Sequence, residues 1–126
     1  MENGRIAIPS MEAGGLDGKR SGHFGHCDTF TLVDVAGGSI AKVSTIANQE
    51  HVQGGCMVPV NLLADNQVTA LVVGGIGMRP LMGFRQAGID VYHDDQRPDI
   101  RPVVEDLIAG RLAMIAEDQV CGGGNH

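Results

Sequence analysis

Apolar positions in this chain fall into short runs divided by glycine, proline and polar clusters. Gly4-Arg5-Ile6-Ala7-Ile8-Pro9 reads as a first strand ended by proline. Ser10 to Gly22 forms a long loop rich in Gly, Ser and charge, and loops of that length in a small domain tend to be functional or mobile. Thr29 to Val35 is a run of β-forming residues, Ala36-Gly37-Gly38 is a turn, and Ser39 to Ile46 is a second run, so a Gly-Gly hairpin is predicted. Asn48 to Gly55 is another loop. A helix follows over about Cys56 to Asn66, with Val60, Leu63 and Ala64 at helical spacing and Pro59 tolerated in the first turn. Val68 to Val73 is continuously apolar, the pattern of a strand buried on both faces. Gly74-Gly75-Ile76-Gly77 then turns into a helix with Pro80 in its first turn and Gly88 as its stop. Ile89 to His93 is a short strand, and Asp99 caps a last helix running to Gly110.

The order is strand, hairpin, helix, strand, helix, strand, helix. Its second half alternates strand and helix, which calls for parallel strands, while the hairpin contributes antiparallel pairing. The fold class is therefore α/β: a single domain with a mixed sheet of about five strands flanked by helices.

Composition narrows the functional field. The chain has 126 residues, room for one domain, and its 43% hydrophobic content supports a core built on aliphatics, since aromatics are only 3%. The net charge of −6, with no basic stripe, argues against nucleic acid, which needs clustered Lys and Arg. Met1 to Arg5 lacks the features of a signal peptide, and no apolar run reaches the ~18 residues of a membrane span. Cytoplasm is the expected location. The three cysteines Cys27, Cys56 and Cys121 form no C-x-x-C, and an odd count without an export signal speaks for thiols or metal ligation over disulfides.

In an open α/β sheet, ligands bind beyond the carboxyl ends of the parallel strands. Three loops should meet there. One carries Ser10 and Ser21-Gly22-His23-Phe24-Gly25-His26-Cys27, one carries His51, Gly54, Gly55 and Cys56, and one is Gly74-Gly75-Ile76-Gly77. Glycine lets backbone N–H groups approach a ligand, and helix N-termini favour anions. Arg79, in the first turn of its helix, adds a fixed positive charge. His23, His26 and Cys27 are the densest group of soft metal donors, and Cys56, His51 or His93 must join them to close a tetrahedral site. The bland alternative makes the histidines backbone-bonded loop residues, Cys27 a small buried hydrophobe, and Met11, Met57, Met78 and Met82 packing residues. Cys121 and His126 belong to a C-terminal arm that either acquires metal or frays. Gly75-Ile76-Gly77-Met78-Arg79-Pro80 half-matches a dinucleotide fingerprint, with Pro80 in place of the third glycine. No carboxylate pair or nucleophile–base motif suggests catalysis, and Asp94-Asp95 reads as a solvated loop.

Ser21-Gly22-His23-Phe24-Gly25-His26-Cys27, followed by Phe30 and then Asp34, resembles the S-x-H-F-G-x-C/A-x-x-F signature of the dinitrogenase iron–molybdenum cofactor biosynthesis family. That is the NifX type, also the C-terminal part of NifB, and it includes the molybdenum–copper orange proteins. Gly74-Gly75-Ile76-Gly77, with Leu81, Phe84 and Ala87 to Tyr92, is similar to its second signature. The resemblance covers roughly Arg5 to Gly110, giving a domain over residues 1–111 and a flexible tail over 112–126. It implies a ribonuclease-H-like α/β fold without that enzyme's carboxylates. It implies a non-catalytic protein that binds or carries a metal–sulfur cluster or its precursor, a molybdenum–copper–sulfide or an iron–(molybdenum–)sulfur species. By motif match His23, Phe24, Gly25, His26, Cys27, Gly74, Gly75 and Gly77 would border the pocket; the reading of the loops adds Ser21, Gly54, Gly55, Cys56 and Arg79, with His26, Cys27, Cys56 and Cys121 as candidate metal ligands. Its partners would be cofactor-assembly or ATPase proteins, and monomer and homodimer stay open. His26 stands where many relatives carry Arg, which makes the site less cationic. A cluster bringing its own sulfides needs N–H donors more than thiolates, whereas an ordinary iron–sulfur cluster needs about four cysteines. A metal-free regulatory or partner-binding module and a small enzyme acting on an anionic metabolite are the competing readings.

Overall fold

A computed structural model describes residues 1–21, 27–47, 57–94 and 97–116. Eight elements follow in order: β1 (Gly4–Ser10), β2 (Thr29–Ala36), β3 (Ser39–Ala47), α1 (Met57–Asp65), β4 (Ala70–Val73), α2 (Met78–Gln86), β5 (Asp90–His93) and α3 (Ile100–Ile108). The five strands form one mixed sheet in the order β3-β2-β1-β4-β5. The pairs β1–β2 and β2–β3 are antiparallel, and β1–β4 and β4–β5 are parallel.

Side-chain alternation along the central strands fills two cores. Ala7, Leu71 and Val73 point to a face covered by Leu63 of α1 and by Leu81 and Phe84 of α2. Ile6, Ile8, Ala70 and Val72 point to the other, covered by Ile100, Val103, Val104 and Leu107 of α3. Every residue of β4 is buried, as the apolar run requires of a strand between helical layers. The hairpin turn is set by Gly37 and Gly38, whose φ values of 61° and 76° suit a two-residue loop that matches strand twist.

Several local expectations need correction. Pro9 does not end β1; it pairs with Phe30 inside the strand. The amide of Arg5 bonds to Thr69 Oγ1 and its carbonyl accepts from the Thr69 amide, so Arg5, Ala7 and Pro9 turn their backbone groups toward β4. The missing proline N–H therefore costs no bond to β2, and β1–β4 pairing stops at Ala7 and Leu71. Ala64 is exposed, and Leu62 instead joins Val60 and Leu63 on the packed side of α1. Asp99 occupies the N-cap of α3 without a capping bond, because its carboxylate is paired with Lys19. Residues 112–116 belong to the folded body. The His93 amide donates to Ala113 O (3.0 Å), the Ile115 amide to Val91 O (2.9 Å), and Ile115 is buried. Among the described residues no helix is long and apolar enough to cross a membrane.

Candidate functional site

The parallel strands β1, β4 and β5 all end on one edge of the sheet, at Ser10, Val73 and His93. Antiparallel register brings Thr29 beside Ser10 and Ala47 beside Thr29, so β2 begins and β3 ends on that same edge. The chain leaves β1 toward β2 on one side, whereas β4 continues to β5 on the other. The carboxyl ends of β1 and β4 thus form the switch point where α/β sheets open a crevice.

Gly74 to Gly77 leaves β4 at this crevice and leads into α2. Gly77 is the N-cap, extended at φ −76° and ψ 163°, with no side chain capping the helix. A Cβ at Gly77 would meet only Pro80, at ordinary contact distance. Gly74, Gly75 and Gly77 are absent from the residues with positive φ, so the backbone here does not demand glycine. Among the described residues the amides of Gly74, Gly75, Ile76 and Gly77 donate to no protein acceptor. Arg79 is exposed in the first turn of α2.

Ser21 is held at the same place. Its amide donates to Pro9 O (2.9 Å), on the side of β1 where pairing with β4 has ended. Cys27 closes the signature segment and is 1% exposed, packed in the core cluster with Phe30 and Leu81. Ser10, placed by sequence in the binding loop, is fully buried. Its hydroxyl donates to Ile8 O (2.7 Å) and lies 2.7 Å from Thr31 Oγ1, which also accepts from the Gly15 amide. His93 is partly buried at the end of β5. His23, Phe24, Gly25, His26, His51, Gly54, Gly55, Cys56, Cys121 and His126 lie outside the described residues. Of the methionines, Met11 and Met82 are exposed and Met78 packs on the α1–α2 core. A cleft of about 320 Å³ lies within the loop after β1, lined by Met11, Glu12, Gly14, Lys19 and their neighbours.

Asp94 overturns its expected role. It is buried and central to a chain of ions running Arg20–Asp94–Arg97–Asp106–Arg111. The side chains of Arg20 and Asp94 are each 6% exposed. Hydrogen bonds from Arg97 and then Arg111 hold the Asp106 carboxyl below the usual carboxylate range, and the Asp106 and Asp94 bonds raise Arg97 further. Sequence reasoning missed this network. The Asp94–Arg97 spacing of three was its only local sign, and Arg20 is 74 residues from Asp94.

The model of the family described as dinitrogenase iron–molybdenum cofactor matches residues 4–110. The chain belongs to that family. The matched range spans both the Ser21–Cys27 and the Gly74–Gly77 segments. Over 91 residues the chain is 34% identical to uncharacterized protein MJ0580 of Methanocaldococcus jannaschii, covering 70% of this chain and 72% of that one. The apo orange protein of Desulfovibrio gigas superposes with a TM-score of 0.78 at 26% identity, covering 89% of this chain and 92% of that one. The crystal structure of PH0822 gives 0.74 at 27% identity, over 90% and 97%. These neighbours share the single-domain α/β architecture expected from the element order.

Proposed function

We propose that this member of the family binds or carries a metal–sulfur cluster or its precursor at the carboxyl end of its parallel strands, as cargo and without catalysing a reaction. The observation that carries this reading is the Gly74–Gly77 loop: three glycines without a conformational need for glycine, opening onto a helix N-terminus that no side chain caps. Such amides suit an anionic species that brings its own sulfide. Arg79 adds positive charge at the same terminus.

In this reading His23, Phe24, Gly25 and His26 border the cargo from the segment anchored at Ser21, and Gly54, Gly55 and Cys56 border it from the segment after Ala47. His26, Cys56 and Cys121 supply direct metal contacts. The burial of Cys27 favours a place in the floor beneath the cargo. Delivery would go to a cofactor-assembly or ATPase partner.

The test is anaerobic purification followed by visible absorption and metal analysis, then reconstitution with tetrathiomolybdate plus copper, or with iron plus sulfide. A chromophore with stoichiometric molybdenum, copper or iron is the expected result. A colourless, metal-free protein after both reconstitutions would sink the reading and leave the partner-binding module in its place.

A further inference from the structure

We propose that the buried Arg20–Asp94 pair is a positioning device for the cargo end of the sheet: it fixes the backbone at Ser21, where the signature segment begins, and through that the uptake of a metal–sulfur species. The identity of the cargo rests on the reading just given; the anchoring does not.

The geometry is that of a clamp. Arg20 Nη1 donates to Arg97 O (2.8 Å) and faces Asp94 Oδ1 at 3.4 Å, while Nη2 donates to Asp94 O. The Arg20 amide donates to Pro98 O (2.7 Å). Four bonds thus tie one residue to the β5–α3 connection, and the next residue, Ser21, is tied to Pro9 of β1. Two consecutive residues are fixed to two different parts of the sheet edge, so the backbone at Ser21 is set in both position and direction. Asp94 is immobilised in turn by Arg97, whose Nη2 lies 2.5 Å from Oδ2 and whose amide reaches Oδ1 at 3.2 Å.

Stability alone is a poor reason for this arrangement. Buried ion pairs are often matched or bettered by apolar residues of similar size, whereas the planar arginine fork specifies geometry. Both terminal nitrogens of the fork donate to backbone carbonyls, which lysine cannot take in the same way.

The experiment loads the full chain anaerobically with tetrathiomolybdate and a copper salt, at a temperature where circular dichroism shows every variant folded. Asp94→Asn and Arg20→Lys are expected to weaken loading roughly 10- to 100-fold, as loss of an outer partner does at metal sites, and to shift the visible band. Asp106→Asn, which breaks the network beyond Arg97, is expected to lower the melting temperature while leaving loading and band unchanged. Wild-type loading in both clamp variants overturns the proposal, and so does a loss in Asp106→Asn that follows its melting temperature. Should wild-type protein take up no cargo at all, only the functional reading falls. Amide exchange then decides the clamp: faster exchange at Ser21 in Arg20→Lys, with the β2–β3 hairpin unchanged, supports it, and unchanged exchange at Ser21 overturns it. Arg20→Lys carries this arm alone where Asp94→Asn does not fold.

Discussion

Asp106 accepts from Arg97 Nη1 and from Arg111 Nε (2.9 Å), and those donors favour its ionised form. Its carboxyl is lowered on folding, so the ion pairs contribute fully above the ordinary value of about 4 and lose that contribution as pH falls through the lower folded value. The stability gap between wild type and Asp106→Asn should therefore be constant near neutrality and close below about pH 4 in urea melts. A gap that persists undiminished to pH 2 refutes this. Residue chemistry was partly legible in the sequence. The glycine, histidine and cysteine signatures announce themselves by type and spacing. Asp94 did not, because a solvated loop acid and a buried ion-pair partner look alike until a distant Arg20 is brought to it. Ser10 misled for the same reason: its hydroxyl is used up by Ile8 and Thr31, across a pairing that only the fold creates.

Elements were more legible than residues. A short apolar run marked β1, runs of β-forming residues divided by Gly-Gly marked β2 and β3, an unbroken apolar run marked β4, and Gly88 closed α2 with a φ of 81°. Errors gathered at ends. Pro9 was read as a terminator, whereas its missing N–H faces a side where no ladder bond is made. Sequence marks Leu112 onward only as a tail, yet Met114 bridges Tyr92 and Ile115 enters the core. Burial, and behind it the charge on Asp90, raises the Tyr92 hydroxyl above its ordinary value. Ile115→Ala should cost about 2 to 5 kcal/mol, as deleting a buried aliphatic side chain does. Equilibrium denaturation with an unchanged midpoint would show instead that this segment contributes nothing.

At the scale of the molecule, two helical layers stabilise the sheet and its parallel strands all end on one edge. Element order and the carboxyl-end rule point the loops after β1 and β4 to one edge of the sheet, and Ser21 and Gly74 lie there. Cargo that binds the folded state alone must stabilise it by linkage. At free cargo of 100 times the dissociation constant the gain is ~2.7 kcal/mol, a rise of roughly 10 °C for a domain of this size. Calorimetry of loaded and empty protein measures it, and equal melting temperatures would mean that the cargo is not held by the native fold.

Pro9 carries a consequence for how scaffold and site are divided. A residue with an N–H at that point could extend the ladder, and β4 would zip against β1 beyond Ala7. Proline leaves a carbonyl with no accompanying donor, which accepts from Ser21 instead. The two strands are thereby unstitched at their last residues, and the seam between them becomes a mooring for the signature segment. One absent hydrogen atom sets the line at which this sheet stops being structure and starts serving its loops.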